Sequence, residues 1–192
     1  MAEMLVVTGG IACGKSTFVE AAREMGINVV DADEWYHKLF VGSSIQEHWR
    51  QTLFGNVAIK SIAFRHDNWS IYEQGVADAF STYVGNIRPD ICVIPELFKR
   101  ETYFRVNLPK FNVLTIEREN HVDAAITRDG HRSVDLTQKI FENQTPSDVR
   151  VDKSDYVLYN VGSRDEFKQE CHKWLALHLP EVSTHPTKAI AT

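Results

Sequence analysis

Near the start of the chain, Gly9-Gly10-Ile11-Ala12-Cys13-Gly14-Lys15-Ser16-Thr17 fits the pattern G-x-x-x-x-G-K-[ST]. Met4 to Thr8 before it is a short apolar run rich in branched side chains and reads as a buried strand. Phe18 to Met25 after it carries apolar residues at Phe18, Val19, Ala22 and Met25, the spacing of one helix face. A strand that turns through glycines into a helix aims successive backbone N–H groups and the positive end of the helix at one point, which makes a cradle for phosphate. The pattern assigns Lys15 to the β- and γ-phosphates of a nucleotide, Ser16 to Mg²⁺, and the amides of Gly10 to Lys15 to phosphate oxygens. Cys13 sits inside this loop and reads as a small filler rather than a reactive thiol.

A chain of 192 residues is long enough for a proper core and is expected to form a single domain over 1–179, followed by a flexible tail over 180–192. Its three cysteines, Cys13, Cys92 and Cys171, are far apart and form no C-x-x-C pair, so neither a disulfide framework nor a zinc site is indicated. That usage, and the lack of a long apolar run or a signal-like start, predicts a soluble, cytoplasmic protein. The net charge of -5, with no lysine or arginine run, does not favour binding to a nucleic-acid backbone. A local basic groove of Lys99, Arg100, Arg105 and Lys110 would reverse that expectation.

Further strands are predicted at Ile27–Val30, Ile91–Ile94, Asn112–Glu117 and Tyr156–Tyr159, with helices between them. Alternation at this spacing implies a three-layer α/β fold with a mainly parallel five-stranded sheet. Asp31-Ala32-Asp33 follows the second strand, at the edge where ligands bind in such folds. Asp33 is the candidate catalytic and metal-organising acid, Asp31 a candidate acceptor contact, and either one also suits the cap of the next helix. Asn68 to Ile87 shows an amphipathic stripe of Trp69, Tyr72, Val76, Phe80, Tyr83 and Ile87. The stripe is expected to be core, with its aromatics, Tyr72 among them, as alternative walls of an acceptor pocket. Glu96 and Phe98, just past the third strand, are further acceptor candidates. Arg128-Asp129-Gly130-His131-Arg132 reads as a mobile turn whose two arginines close over transferring phosphate. The final helix, about Ser163 to Leu177, is expected to face inward through Phe167, Cys171, Trp174, Leu175 and His178.

Together these stretches resemble the dephospho-coenzyme A kinase family of P-loop small-molecule kinases. The resemblance is carried by Val7 through Thr17, Gly26 through Asp33, Gly42-Ser43 with Phe54-Gly55, Arg128-Asp129-Gly130, Gln144, Ser154 through Val157, and Asn160-Val161-Gly162-Ser163. It implies a P-loop kinase fold with a helical acceptor lobe over about 34–88 and a lid over about 128–150. It also implies ATP and Mg²⁺ as cosubstrates, Asp33 near the acceptor hydroxyl, Arg128 in the lid, and an adenine site partly lined by the loop that holds Asn160 and Gly162. The chain departs from the family's pattern in its acceptor half. The stretch Asn56 to Ile87 is shortened and lacks the family's L-D-R type motif and His-Pro pair, the acid that ends the family's third strand is lost, Glu96 is gained, and Ala124 replaces a lid arginine.

The expected activity is transfer of the γ-phosphate of ATP to a hydroxyl of a nucleotide-like acceptor resembling dephospho-coenzyme A. The alternatives are a deoxynucleoside monophosphate kinase, a kinase of hydroxymethylated pyrimidine in DNA, and an ATP-dependent switch without an acceptor.

Overall fold

The computed structural model describes residues 3–40, 74–119 and 141–179. In chain order these residues form β1 (Met4–Thr8), α1 (Lys15–Glu24), β2 (Val29–Asp31), α2 (Ala32–Phe40), α3 (Gln74–Ile87) and β3 (Ile91–Val93). After a 3-10 turn (Leu97–Arg100) come α4 (Glu101–Asn107), β4 (Phe111–Glu117), α5 (Ser147–Lys153), β5 (Tyr156–Tyr159) and α6 (Arg164–His178). The strands lie in the order β2-β3-β1-β4-β5, and every pairing is parallel. A parallel sheet brings the carboxyl ends of all its strands to one edge, so the segments after β1, β2, β3 and β4 meet there.

Neighbouring residues along a strand face opposite sides, and the sequence uses both sides for core. Met4 and Val6 join Val30, Cys92, Ile94 and Val113 under α2, α3 and α4. Leu5 and Val7 join Ile91, Val93, Leu114 and Ile116 under α1 and α6. Runs such as MLVVT are therefore apolar throughout, as a sheet covered on both faces requires. On the first side Trp35 meets Phe80 edge to face, with ring centroids 5.1 Å apart. On the second, Phe18 meets Trp174 at 5.9 Å.

The strand assignments agree with the sequence reading to within two residues at each end. Gly26 ends α1 as expected: its N–H donates to the Arg23 carbonyl and that of Ile27 to the Ala22 carbonyl, the paired bonds of a Schellman motif. The stripe predicted on α3 turns out rotated. Val76, Ala77, Phe80 and Val84 are buried, whereas Tyr83 and Ile87 sit at the border, 38% and 39% exposed. On α6, Phe167, Cys171 and Leu175 are buried, and His178 is exposed and stacked on Trp174 at 4.1 Å. The short helices α4 and α5 have no counterpart in the sequence reading, because seven residues hold too few turns for periodicity to register. The helices expected between the fourth and fifth strands lie mostly outside the described residues.

Phe80 is fully buried at the centre of the α2–α3 layer, so Phe80→Ala is expected to lower the unfolding free energy by about 3–5 kcal/mol. The shift in the midpoint of urea denaturation measures it.

Candidate active site

The loop between β1 and α1 is held by close backbone approaches that its glycines permit. Gly9 has φ 145°, and a Cβ there would stand 2.4 Å from the Ile116 carbonyl oxygen. Gly14, the residue before α1, has φ 114°, and a Cβ there would stand 2.6 Å from Asn160 Nδ2 and 2.7 Å from the Phe167 ring. Side chains would block both approaches and rarely adopt either conformation. Asn160 Nδ2 donates to the Cys13 carbonyl at 2.9 Å, which ties the loop to the end of β5. Ile11 N–H donates to Gln144 Oε1 at 3.1 Å. Cys13 is fully buried, and burial pushes its thiol up against the pull of Lys15, in keeping with a filler.

Lys15 folds over the loop, its Nζ donating to the Gly9 carbonyl at 2.7 Å and the Gly10 carbonyl at 2.6 Å. Burial lowers its pKa, while the charges of Asp33 and Glu96 oppose that shift and the charge of Arg150 adds to it. Asp31 and Asp33 separate into different tasks. Asp31 Oδ1 accepts from the N–H groups of Asp33 at 2.8 Å and Glu34 at 3.1 Å, so it caps α2. Its burial raises its carboxyl, an effect that the Glu34 amide opposes. The Asp33 carboxylate has no hydrogen-bond partner among the described residues, and the residue is exposed. The mass of protein around it raises its pKa to about 6, with the charge of Asp31 adding to the shift and that of Lys15 opposing it.

At the end of β4 lies a group that the sequence reading did not single out. Arg150, 2% exposed, makes a two-pronged pair with Glu117: Nε to Oε1 at 2.6 Å and Nη2 to Oε2 at 2.8 Å. Glu117 Oε2 also accepts from Ser147 Oγ at 2.9 Å. The available signal was a strand ending in a buried acid, which requires a countercharge. Glu96 is buried, and Phe98 is half-buried with Lys153 Nζ 5.8 Å from its ring centroid. Gly162 lies on the exposed loop before α6. Tyr72, Arg128 and Arg132 lie outside the described residues.

The four cations of the possible basic groove are each engaged. Lys99 lies 4.0 Å from Glu96, Arg100 bonds Gln74, Arg105 lies 3.7 Å from Glu101 and donates to the Phe111 carbonyl, and Lys110 pairs with Glu3. Among the described residues no cluster of three or more His, Cys, Asp or Glu is placed to hold a metal alone. The open carboxylate of Asp33 and the exposed Ser16 hydroxyl are the hard oxygen donors that suit Mg²⁺, an ion that usually keeps several waters and takes phosphate oxygens. No helix of the described residues is long and apolar enough to cross a membrane.

The all-parallel sheet, with the glycine loop running from its central strand into α1 and a lysine folded over that loop, defines a P-loop phosphotransferase of the small-molecule kinase class. Within that class the chain is similar to dephospho-CoA kinases, whose family model matches residues 3–61. The dephospho-CoA kinase of Aquifex aeolicus is 28% identical over 87% of this chain and 93% of its own length. That of Campylobacter jejuni is 23% identical over 90% and 95%. A solved structure of dephospho-CoA kinase from Campylobacter jejuni shares the fold, with a TM-score of 0.53 and 18% identity over 91% of this chain and 96% of that one.

Two outcomes test this geometry. Gly14→Ala forces a Cβ into Asn160 and Phe167 at a left-handed residue, and is expected to lower stability by at least about 2 kcal/mol. Thermal unfolding without nucleotide measures this. For Asp33, a folded-state pKa raised from 3.8 to about 6 means the native chain binds the proton more tightly than the unfolded one. The group's contribution to stability is then greatest in acid and is lost as pH rises through 6. Asp33→Asn should therefore raise the melting temperature relative to the parent at pH 7.5, and the difference should vanish below pH 4.

Proposed function

We propose that this kinase transfers the γ-phosphate of ATP to a hydroxyl on dephospho-coenzyme A or an acceptor of the same shape, a nucleotide bearing a ribose. The open carboxylate of Asp33 is the observation that carries the reading. With Asp31 committed to capping α2, it is the acid left free after β2, close enough to Lys15 for each charge to act on the other. The similarity to dephospho-CoA kinases along nearly the whole chain supports the acceptor class.

In this reading the amides of Gly10 to Lys15, apart from that of Ile11, which Gln144 holds, take the phosphate oxygens, and Lys15 exchanges two carbonyl oxygens for the β- and γ-phosphates. Ser16 and Asp33 would hold Mg²⁺, which when bound neutralises the terminal phosphates. Asp33 orients the attacking hydroxyl and accepts its proton, a task suited to a carboxylate whose pKa is drawn up toward neutrality. Asn160, whose amide fixes the Cys13 carbonyl, serves the loop, and its neighbour Gly162 borders the adenine. Arg128 and Arg132 supply charge to the transferring phosphoryl group. The chain between β2 and β3 supplies the acceptor lobe; Tyr72 within it and Phe98, just past β3, are the proposed walls.

ADP release with Mg-ATP, measured against a panel of dephospho-coenzyme A, deoxynucleoside monophosphates and DNA with and without hydroxymethylated pyrimidines, tests the acceptor. Stimulation by dephospho-coenzyme A is expected. Stimulation by a deoxynucleotide or by DNA alone would overturn the acceptor assignment, and ATP hydrolysis indifferent to every acceptor would favour a switch. Lys15→Ala should cut turnover by about 100-fold or more. Asp33→Asn should leave ATP affinity nearly intact while abolishing transfer, and the acid limb of the parent's rate profile should fall near pH 6.

A further inference from the structure

Glu96 follows Pro95 at the end of β3 and is 1% exposed. One of its oxygens, Oε2, accepts two hydrogen bonds from a single residue, the N–H and the Oγ1–H of Thr145, each at 2.9 Å. The other, Oε1, is buried without a partner among the described residues. The Thr145 carbonyl accepts from Arg150 Nη1, so this residue is gripped from both sides, by Glu96 just past β3 and, through Arg150, by Glu117 on β4. Gln144, next in the chain, presents Oε1 to the Ile11 N–H at 3.1 Å. The same oxygen and Arg150 Nη2 each lie 3.3 Å from where a Cβ on Gly10 would stand.

This path runs from just past β3 to the middle of the phosphate loop in two hydrogen-bonded steps joined by the Gln144–Thr145 peptide bond. Its far end is where the loop needs support, because Ala12 has φ 56°. A residue with a side chain held there costs about 1 kcal/mol or more and persists only when its surroundings fix it. A single bond from a free glutamine would be a weak brace. A glutamine whose neighbouring residue is pinned to two strand ends is a firm one.

We propose that Glu96 is a positioning residue of the nucleotide site: by clamping Thr145 it sets Gln144 against the Ile11 amide, and so holds the loop in its anion-binding shape before nucleotide arrives. The inference rests on the reading that this loop binds the phosphates of ATP, and it gives Glu96 a task other than touching the acceptor. The clamp works through the hydrogen-bond acceptor rather than the charge, since a glutamine amide oxygen can accept from the same two donors.

The test is calorimetric titration of the full chain with Mg-ATP, with no acceptor present. Glu96→Leu and Gln144→Leu are each expected to weaken binding by about tenfold or more, the factor for losing one charge-assisted or loop-fixing hydrogen bond. Thr145→Val, which keeps its N–H donor, should fall between them and the parent. Glu96→Gln should restore affinity to within about threefold. The double variant Glu96→Leu/Gln144→Leu should bind no worse than the weaker single variant, because both cut one path. If Glu96→Leu fails to fold, Thr145→Val and Gln144→Leu carry the same test. Equal loss in Glu96→Gln and Glu96→Leu would show that the charge matters, and would overturn the clamp. So would unchanged affinity in Glu96→Leu, or additive losses in the double variant. A parent that binds Mg-ATP but phosphorylates no member of the acceptor panel would sink the acceptor assignment and leave this inference standing, whereas a parent that does not bind Mg-ATP would sink both.

Discussion

The closest backbone approach in the site, Gly9 against the Ile116 carbonyl, is the constraint on which the rest depends. It lets the chain leave β1 and cross the end of β4 without a side chain in between, so the loop lies flat over the sheet edge. From there Gly14 passes equally close to Asn160 and Phe167, and α1 starts with its first amides turned toward the loop. The other groups take their places from that path. Lys15 reaches back over it, Asn160 ties its inner carbonyl, and Gln144 and Arg150 close it from the side.

Charge is distributed around the loop in a way that sequence distance conceals. Asp33, Glu96 and Glu117 come from the ends of β2, β3 and β4, while Lys15 and Arg150 come from α1 and α5. Only some of these charges are matched by direct contact. Arg150 and Glu117 satisfy one another almost completely, and cutting one of them would leave the other buried and unpaired. The Lys15 ammonium is bonded to neutral carbonyls and the Asp33 carboxylate to nothing among the described residues, so the groups with spare bonding capacity are those to which the proposed function gives the phosphates and the acceptor. The pair that is closed holds the frame, and the pair that is open is available for chemistry.

The fold was legible because its signals are local and strong. A glycine loop between a branched apolar run and an amphipathic segment has few structural readings, and β3 and β4 are short runs buried on both faces. The division of labour between Asp31 and Asp33 was only half legible, since either suits a helix cap and the choice depends on which carboxylate turns toward the free amides of α2. The Glu96–Thr145 and Glu117–Arg150 contacts were not legible at all. They join residues 49 and 33 positions apart, and no periodicity or motif spans such a gap. The rotation of the α3 stripe has a similar origin: Tyr83 and Ile87 have the right spacing, but tertiary packing buries Val84 instead.

The outer strands of the sheet are β2 and β5, of three and four residues, while β4 inside it has seven. An exposed strand edge is a template on which another copy of the chain can extend the sheet, and the strength of such docking grows with the length of the free ladder. Here the long strand is enclosed and the boundaries are brief, so on these two edges a second molecule would gain only a few backbone bonds. Among the described residues, the strand order thus leaves little purchase for edge-to-edge aggregation.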